Sequence, residues 1–350
     1  MASIRFLIRY IRILCILTRL DPIMDWSRFF LEVIMFLNII LLIIGFIILI
    51  KGADLFVDGA SGIAGNFKVS KILIGLTIVA FGTSAPEFAV SIKSLLSNNG
   101  DMVLGNVIGS NILNILLILG FSALVHPLSV KNNTVKKELP ITLMITCAFA
   151  VLLSDNLFAK NITNSFPRGD GIVLILFFGV FMYYLISMTR NKVNSEETNN
   201  IISMKKSIIL TIIGLLGIIL GSNFVVDSAS NLAKIIGISE RMVSLTIVAL
   251  GTSLPELVTS VTATKKGEYD IAIGNVVGSN IFNIGVVIGI PIALIGGISS
   301  IKFSYIDITV MIASALLLFI FSINDHKISK KEGIALLTLF IVYYSYVVFN

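Results

Sequence analysis

The sequence is poor in charge. Of its 350 residues only 13% are Asp, Glu, Lys or Arg, about half of the roughly 25% that a soluble domain carries to solvate its surface. Cysteine is scarcer: Cys15 and Cys147 are the two present, too few and too far apart for a disulfide framework or a thiolate cluster, and they read as small apolar side chains. Of the two histidines, His126 sits at a loop edge before Pro127. No HExxH or GxSxG occurs, and Asp170 in PRGDG has no aspartate at catalytic spacing inside a span, so no enzyme is expected and no cofactor is called for. What is abundant is apolar. Hydrophobic residues make up 56%, mean hydropathy is +0.98, and long runs occupy 39–50, 172–186, 308–323 and 334–349. Stretches of about 20 such residues cross a hydrocarbon core of roughly 30 Å, so the chain reads as a polytopic membrane protein. The net charge of +6 is spread over short loops, the pattern that reports orientation in a bilayer and not a nucleic-acid partner.

Apolar stretches between polar punctuation predict ten spans, near 36–57, 69–96, 102–125, 139–157, 168–189, 206–226, 238–263, 270–296, 304–323 and 330–348. The polar stretch 190–206, containing NKVNSEETNN, divides them five and five. The two fives repeat. An ungapped shift of 169 lays 75–120 on 244–289 with 22 identities in 46 positions, among them Gly, Pro, Glu, Ser and Asn, which hydrophobic composition alone would not align. An odd number of spans per half turns the second half upside down, the inverted-repeat plan of secondary transporters, whose substrate site lies between the repeats near the midplane. The expected fold is therefore all-α, with ten transmembrane helices as two inverted five-helix repeats at 35–189 and 207–350. Loops after odd-numbered spans carry fourteen Lys and Arg against five after even-numbered ones. That excess predicts a cytoplasmic linker, with both termini outside. Residues 1–34 hold Arg5, Arg9, Arg12, Arg19 and Arg28 and are read as a basic, membrane-surface type of extension that does not belong to the repeat; Met35 is the expected start.

Two carboxylates stand apart from the loop acids. Glu87 in FGTSAPEFAV and Glu256 in LGTSLPELVT lie well inside spans, at equivalent repeat positions. A carboxylate at that depth costs at least ~2.5 kcal/mol, and no Lys or Arg sits clearly at matching depth, so a mobile cation or a proton is the simplest partner. Pro86 and Pro255 each clash with the carbonyl four residues back, at Gly82 and Gly251, which predicts a kink and loosened carbonyls before each Glu. Thr83 and Thr252 share a helical face with Glu87 and Glu256, and Ser84 and Ser253 add hydroxyls. The second motif, GNVIGSNILNI and GNVVGSNIFNI, supplies Asn106, Ser110, Asn111 and Asn114, then Asn275, Ser279, Asn280 and Asn283. Its Gly105/Gly109 and Gly274/Gly278 pairs are small-xxx-small spacings suited to close helix packing. Asn111 and Asn280 fit ion ligation and interhelical hydrogen bonding equally. An all-oxygen donor set suits hard cations such as Ca²⁺, Na⁺ or Mg²⁺, and two carboxylates balance one Ca²⁺.

At GTSAPE with GNVIGSN, and GTSLPE with GNVVGSN, the chain resembles the sodium/calcium exchangers of the cation/calcium exchanger superfamily. The likeness covers essentially 36–350 and is closest to the compact prokaryotic members, which lack a large domain in the linker. The resemblance implies an antiporter of the cell membrane that moves Na⁺ and Ca²⁺ in opposite directions through one cluster of overlapping subsites. It implies that Glu87 and Glu256 bind both ions. Thr83 and Thr252 would give oxygens to Ca²⁺, Ala80, Ser84, Ser110, Ala249, Ser253 and Ser279 would line the Na⁺ subsites, and Asn114 would stand beside the central one. The first and sixth spans would slide past the others to switch access. Several relatives carry Asp where this chain has Asn283, so a three-to-one stoichiometry does not carry over directly. Exchange with H⁺ or K⁺ on the same scaffold is the alternative, and a cation channel is a third reading that kinked inverted halves argue against. One site between a chain's own repeats means that a monomer suffices; beyond the lipid bilayer no protein partner is implied.

Overall fold

The computed structural model describes residues 26–155, 165–190, 202–238, 249–298 and 304–349. Helix α1 runs over Trp26–Phe67. Helices α2, Lys71–Thr83, and α3, Ala85–Leu96, are bent by 46° against each other. They are followed by α4 (Gly100–Val125), α5 (Leu139–Leu152) and α6 (Arg168–Arg190). The second half comprises α7 (Met204–Ile235), α8 (Ala249–Thr252), α9 (Leu254–Lys265), α10 (Tyr269–Leu294), α11 (Tyr305–Ile323) and α12 (Lys330–Phe349).

Among the described residues seven helices are long and apolar enough to cross a membrane, namely α1, α4, α6, α7, α10, α11 and α12, and the bent pair α2–α3 makes an eighth. The span expected at 139–157 is α5, only 14 residues long but continuous with a π-helical turn at Thr134–Glu138. The span expected at 238–263 is described only from Ala249. Helix α1 takes in 26–34, so no helix break falls at the expected start of the repeat, and the remainder of that extension, 1–25, lies outside the described residues.

Helices α4 and α10 are central. In α10 every residue from Ile271 to Phe282 is buried, and a helix buried on all sides lies inside a bundle. Helices α1 and α7 form a separate pair on the outside, joined along glycines. A Cβ at Gly214 would fall 2.4 Å from the Phe56 amide nitrogen, and one at Gly221 would fall 2.5 Å from that of Leu49. Only glycine lets the two backbones come this close. The lipid-type face of α1 is apolar and exposed at Leu37, Ile40, Ile43, Ile47 and Ile50. Short strands clip the loops. Leu128–Ser129 (β1) pairs antiparallel with Lys327–Ile328 (β2), and Phe166 bridges to Ile298. With those few edges confined to helix ends, almost all backbone bonds lie within helices, as a bilayer demands.

Candidate functional site

The chain breaks where proline predicts. Ser84, φ −82° and ψ 7°, interrupts the helix between Thr83 and Ala85, and Ser253, φ −90° and ψ 5°, does the same between Thr252 and Leu254. The prolines then sit in the first turn of α3 and of α9, where a missing N–H costs nothing. Each break delivers a glutamate to the centre of the bundle. Glu87 is fully buried and Glu256 is 1% exposed.

The two halves grip each other across this point. Ser84 Oγ donates to Glu256 Oε1 at 2.9 Å, and Ser253 Oγ donates to Glu87 Oε1 at 3.3 Å, so each glutamate is held by the serine of the other half. Asn106 Nδ2 donates to the Glu87 carbonyl at 3.1 Å and to Ser91 Oγ at 3.1 Å. Its repeat mate Asn275 donates to the Glu256 carbonyl at 3.3 Å and to Ser260 Oγ at 2.9 Å. Asn275 also accepts from Thr83 Oγ1 at 3.0 Å, tying a hydroxyl of the first half to a carboxylate-bearing turn of the second.

Four further amides close a ring between α4 and α10. Asn114 Nδ2 donates to Asn280 Oδ1 at 2.9 Å, and Asn283 Nδ2 to Asn111 Oδ1 at 3.0 Å. Asn111 Nδ2 reaches the Asn280 carbonyl at 3.3 Å, and Asn280 Nδ2 the Asn111 carbonyl at 3.2 Å. Asn111 and Asn280 thereby spend their amides on helix–helix bonds. Asn114 and Asn283 spend only their nitrogens. Each opens a π-helical turn, Asn114–Leu119 and Asn283–Ile288, a widening common at functional sites.

What this leaves over is oxygen. Glu87 Oε2, Glu256 Oε2, Asn114 Oδ1, Asn283 Oδ1 and Ser279 Oγ are all buried and have no hydrogen-bond partner among the described residues. Unpaired buried acceptors are costly in a dry interior, and a set made of carboxylate, amide and hydroxyl oxygens has the chemistry of a hard-cation cage. Thr83, Ser84, Ser110 and Ala80 are buried alongside, Ser253 is 4% exposed and Thr252 is half-buried. Ala249 opens α8.

Two expectations need adjustment. The carbonyl at Gly251 is not left loose for a ligand, because Ser222 Oγ of α7 donates to it at 3.1 Å. Gly274 and Gly278 do mediate close packing, with a built Cβ meeting Gly75 Cα at 2.9 Å and Leu76 Cα at 2.8 Å. Outside the adjoining backbone of its own helix, no described atom lies within 4 Å of a Cβ at Gly105 or Gly109, and the repeat mates of those packing partners, 244 and 245, lie outside the described residues.

The family model for sodium/calcium exchanger protein matches residues 37–187 and 206–349, the stretches on either side of the polar linker. The chain belongs to the sodium/calcium exchanger family. It is 36% identical over 325 residues to the putative antiporter CaxA of Alkalimonas amylolytica, covering 89% of this chain and 98% of that one. It is 32% identical over 340 residues to the sodium/calcium exchanger MaX1 of Methanosarcina acetivorans, covering 87% and 97%. Among solved structures, the sodium-calcium exchanger NCX_Mj soaked with 10 mM Na⁺ and zero Ca²⁺ superposes with a TM-score of 0.76 at 33% identity, over 89% of this chain and 99% of that one. The prokaryotic type of the family, the apolar helices and the multi-pass membrane setting thus stand together.

Proposed function

We propose that this protein is a Na⁺/Ca²⁺ antiporter of the cell membrane, working by alternating access at a midplane site between two inverted five-helix repeats. The observation that carries the reading is the group of buried, unpartnered oxygens around Glu87 and Glu256. Glu87 and Glu256 supply two negative charges, which balance one Ca²⁺ and leave room for competition by Na⁺. Thr83, Thr252, Asn114 and Asn283 flank the carboxylates, and Ala80, Ser84, Ser110, Ala249, Ser253 and Ser279 border the outer subsites.

The glycine seam between α1 and α7 supports a two-helix body that slides as a unit, and Ser222 on α7 gives that body a direct hold on the broken segment of the site. The excess of Lys and Arg in loops on one side supports a cytoplasmic linker. Two amides at Asn114 and Asn283, in place of any third acid, favour a site whose counter-ion is decided by two glutamates alone.

The test is radiolabelled Ca²⁺ uptake into proteoliposomes loaded with Na⁺, against K⁺-loaded and pH-jumped controls with a protonophore present. Uptake is expected to require the outward Na⁺ gradient and to vanish in the Glu87→Gln, Glu256→Gln double variant. Uptake driven only by a proton gradient would reassign the counter-ion, and Ca²⁺ binding undiminished in the double variant would remove the site.

A further inference from the structure

One end of α1 is charged, and its charges are answered by the helices that bear the site. This end lies on the linker side, where Asn66 Nδ2 donates to the Ile202 carbonyl at 2.7 Å. Lys266, in the turn between α9 and α10, places Nζ 2.8 Å from Asp58 Oδ1, 2.8 Å from the Asp54 carbonyl and 3.7 Å from Asp54 Oδ1. Two residues on, Glu268 takes Lys71 Nζ at 2.7 Å and accepts from Ser61 Oγ at 3.1 Å. Thus two clusters, one on Lys266 (Asp54, Asp58) and one on Glu268 (Ser61, Lys71), stitch α1 and the start of α2 to the α9–α10 turn.

The repeat makes the comparison exact in register. Shifted by 169, Asp54, Asp58 and Ser61 become Asn223, Asp227 and Ser230, while Lys266 and Glu268 become Ser97 and Asn99. The second copy of the turn has no charge to offer. Ser230 Oγ is buried without a partner among the described residues, whereas its mate Ser61 is bonded. In sequence, the charged pair Lys266 and Glu268 belongs to one end, and its second copy, Ser97 and Asn99, is uncharged.

We infer that these side chains form a one-sided ion-pair latch: it holds the α1–α7 pair against the site helices at the linker end and biases the protein towards the conformation closed on that side. The inference rests on the alternating-access reading above. Exposed pairs are individually weak, but two clusters carried on one turn and answered by one helix, with a backbone carbonyl among the acceptors, act in the same direction. Because the latch is present in one conformation, its strength is a population bias that lowers apparent affinity on the linker face and leaves the other face near its intrinsic value.

The test uses the full chain in oriented proteoliposomes and two variants, Lys266→Gln and Glu268→Gln. Half-saturating Ca²⁺ on the linker face is expected to fall about fivefold, while the value on the opposite face stays the same or rises. Lys266→Glu combined with Asp58→Lys is expected to return the linker-face value towards that of the unaltered protein. An ion-free readout separates this from the transport reading. Ala263 of α9 is fully buried in the cluster that holds Ala53, Val57 and Ala60 of α1. In a Cys15→Ser, Cys147→Ser background, Ala263→Cys is expected to react with a thiol reagent from the linker side several times faster when Lys266→Gln is added. Unchanged labelling with an unchanged linker-face value, or weaker Ca²⁺ binding on both faces, overturns the latch. Failure of the unaltered protein to take up Ca²⁺ would overturn the exchanger reading, and the labelling would still decide the latch.

Discussion

Around the two glutamates the halves of the chain behave as copies. Ser84 and Ser253, Asn106 and Asn275, and Asn114 and Asn283 form matching bonds in which every partner is displaced by 169 residues. Around the α1–α7 pair they diverge. Ser222 holds the Gly251 carbonyl, but its mate is Ala53, which cannot hold Gly82, and the charged turn at Lys266–Glu268 has an uncharged counterpart. On the proposed alternating-access reading, a symmetric centre gives an ion the same ligands from either side, and asymmetry in the surrounding contacts decides which side is open at rest. Duplication constrains the first kind of residue twice over and leaves the second kind free to differ.

Breaking the centre is the severest test of that contrast. Glu87→Gln and Glu256→Gln, each alone, are expected to weaken Ca²⁺ binding about 100-fold or more, since each strips one charge from a dry site. The informative quantity is their ratio in equilibrium Ca²⁺ titrations: values within about threefold of each other fit a symmetric cage, whereas a large imbalance assigns the ion to one half.

Below that comes the support of the carboxylates. Asn275→Ala leaves the Glu256 carbonyl, Ser260 and Thr83 short of one bond each, and about tenfold weaker Ca²⁺ binding is expected from buried polar groups left unmet. Asn106 is less buried than Asn275, so Asn106→Ala should cost less. Equal losses in the two alanine variants would mean that the difference in burial has no bearing on the cost.

The smallest effect probes the divergent contacts. Ser222→Ala should leave equilibrium Ca²⁺ binding within about twofold, because one hydroxyl–carbonyl bond is worth roughly 1 kcal/mol, yet alter the turnover of exchange by freeing α7 from the site. Placing a hydroxyl at the mirror position, Ala53→Ser, should move turnover as well. Binding that changes while turnover does not would show that Ser222 serves the cage and not the motion.

The centre was legible from sequence because its chemistry conflicts with its surroundings. Glutamate, asparagine and proline inside apolar spans have no ordinary reason to be there, and Glu87 and Glu256 at identical repeat positions made coincidence untenable. The breaks at Ser84 and Ser253 followed from proline sterics, and the buried amide pair Asn114 and Asn283 from helical spacing. Division of labour among the asparagines was not legible. Asn111 and Asn114 are the same residue type three positions apart, and only the crossing of α4 with α10 decides that the former spends its carboxamide on packing while the latter keeps an oxygen free. Ser222 carried no signal either, since a serine in an apolar helix bonds to whatever lies opposite, and the opposite residue, Gly251, is 29 positions away. The network at Lys266 was hidden in loop charges that orientation alone already explained.

Helix α1 has one more consequence. Its 42 residues amount to about 60 Å at ~1.5 Å per residue, roughly twice the thickness of a hydrocarbon core, so it crosses steeply tilted or projects beyond the headgroups. Its outward flank of Leu37, Ile40, Ile43, Ile47 and Ile50 is apolar and exposed, the kind of surface that acyl chains cover in a bilayer, and the charges of Lys51, Asp54 and Asp58 follow directly. In the proposed sliding motion its apolar belt would be displaced relative to the surrounding lipid. Acyl-chain length would then enter the energy of every turnover, and the membrane would become a component of the machine whose dimensions tune its speed.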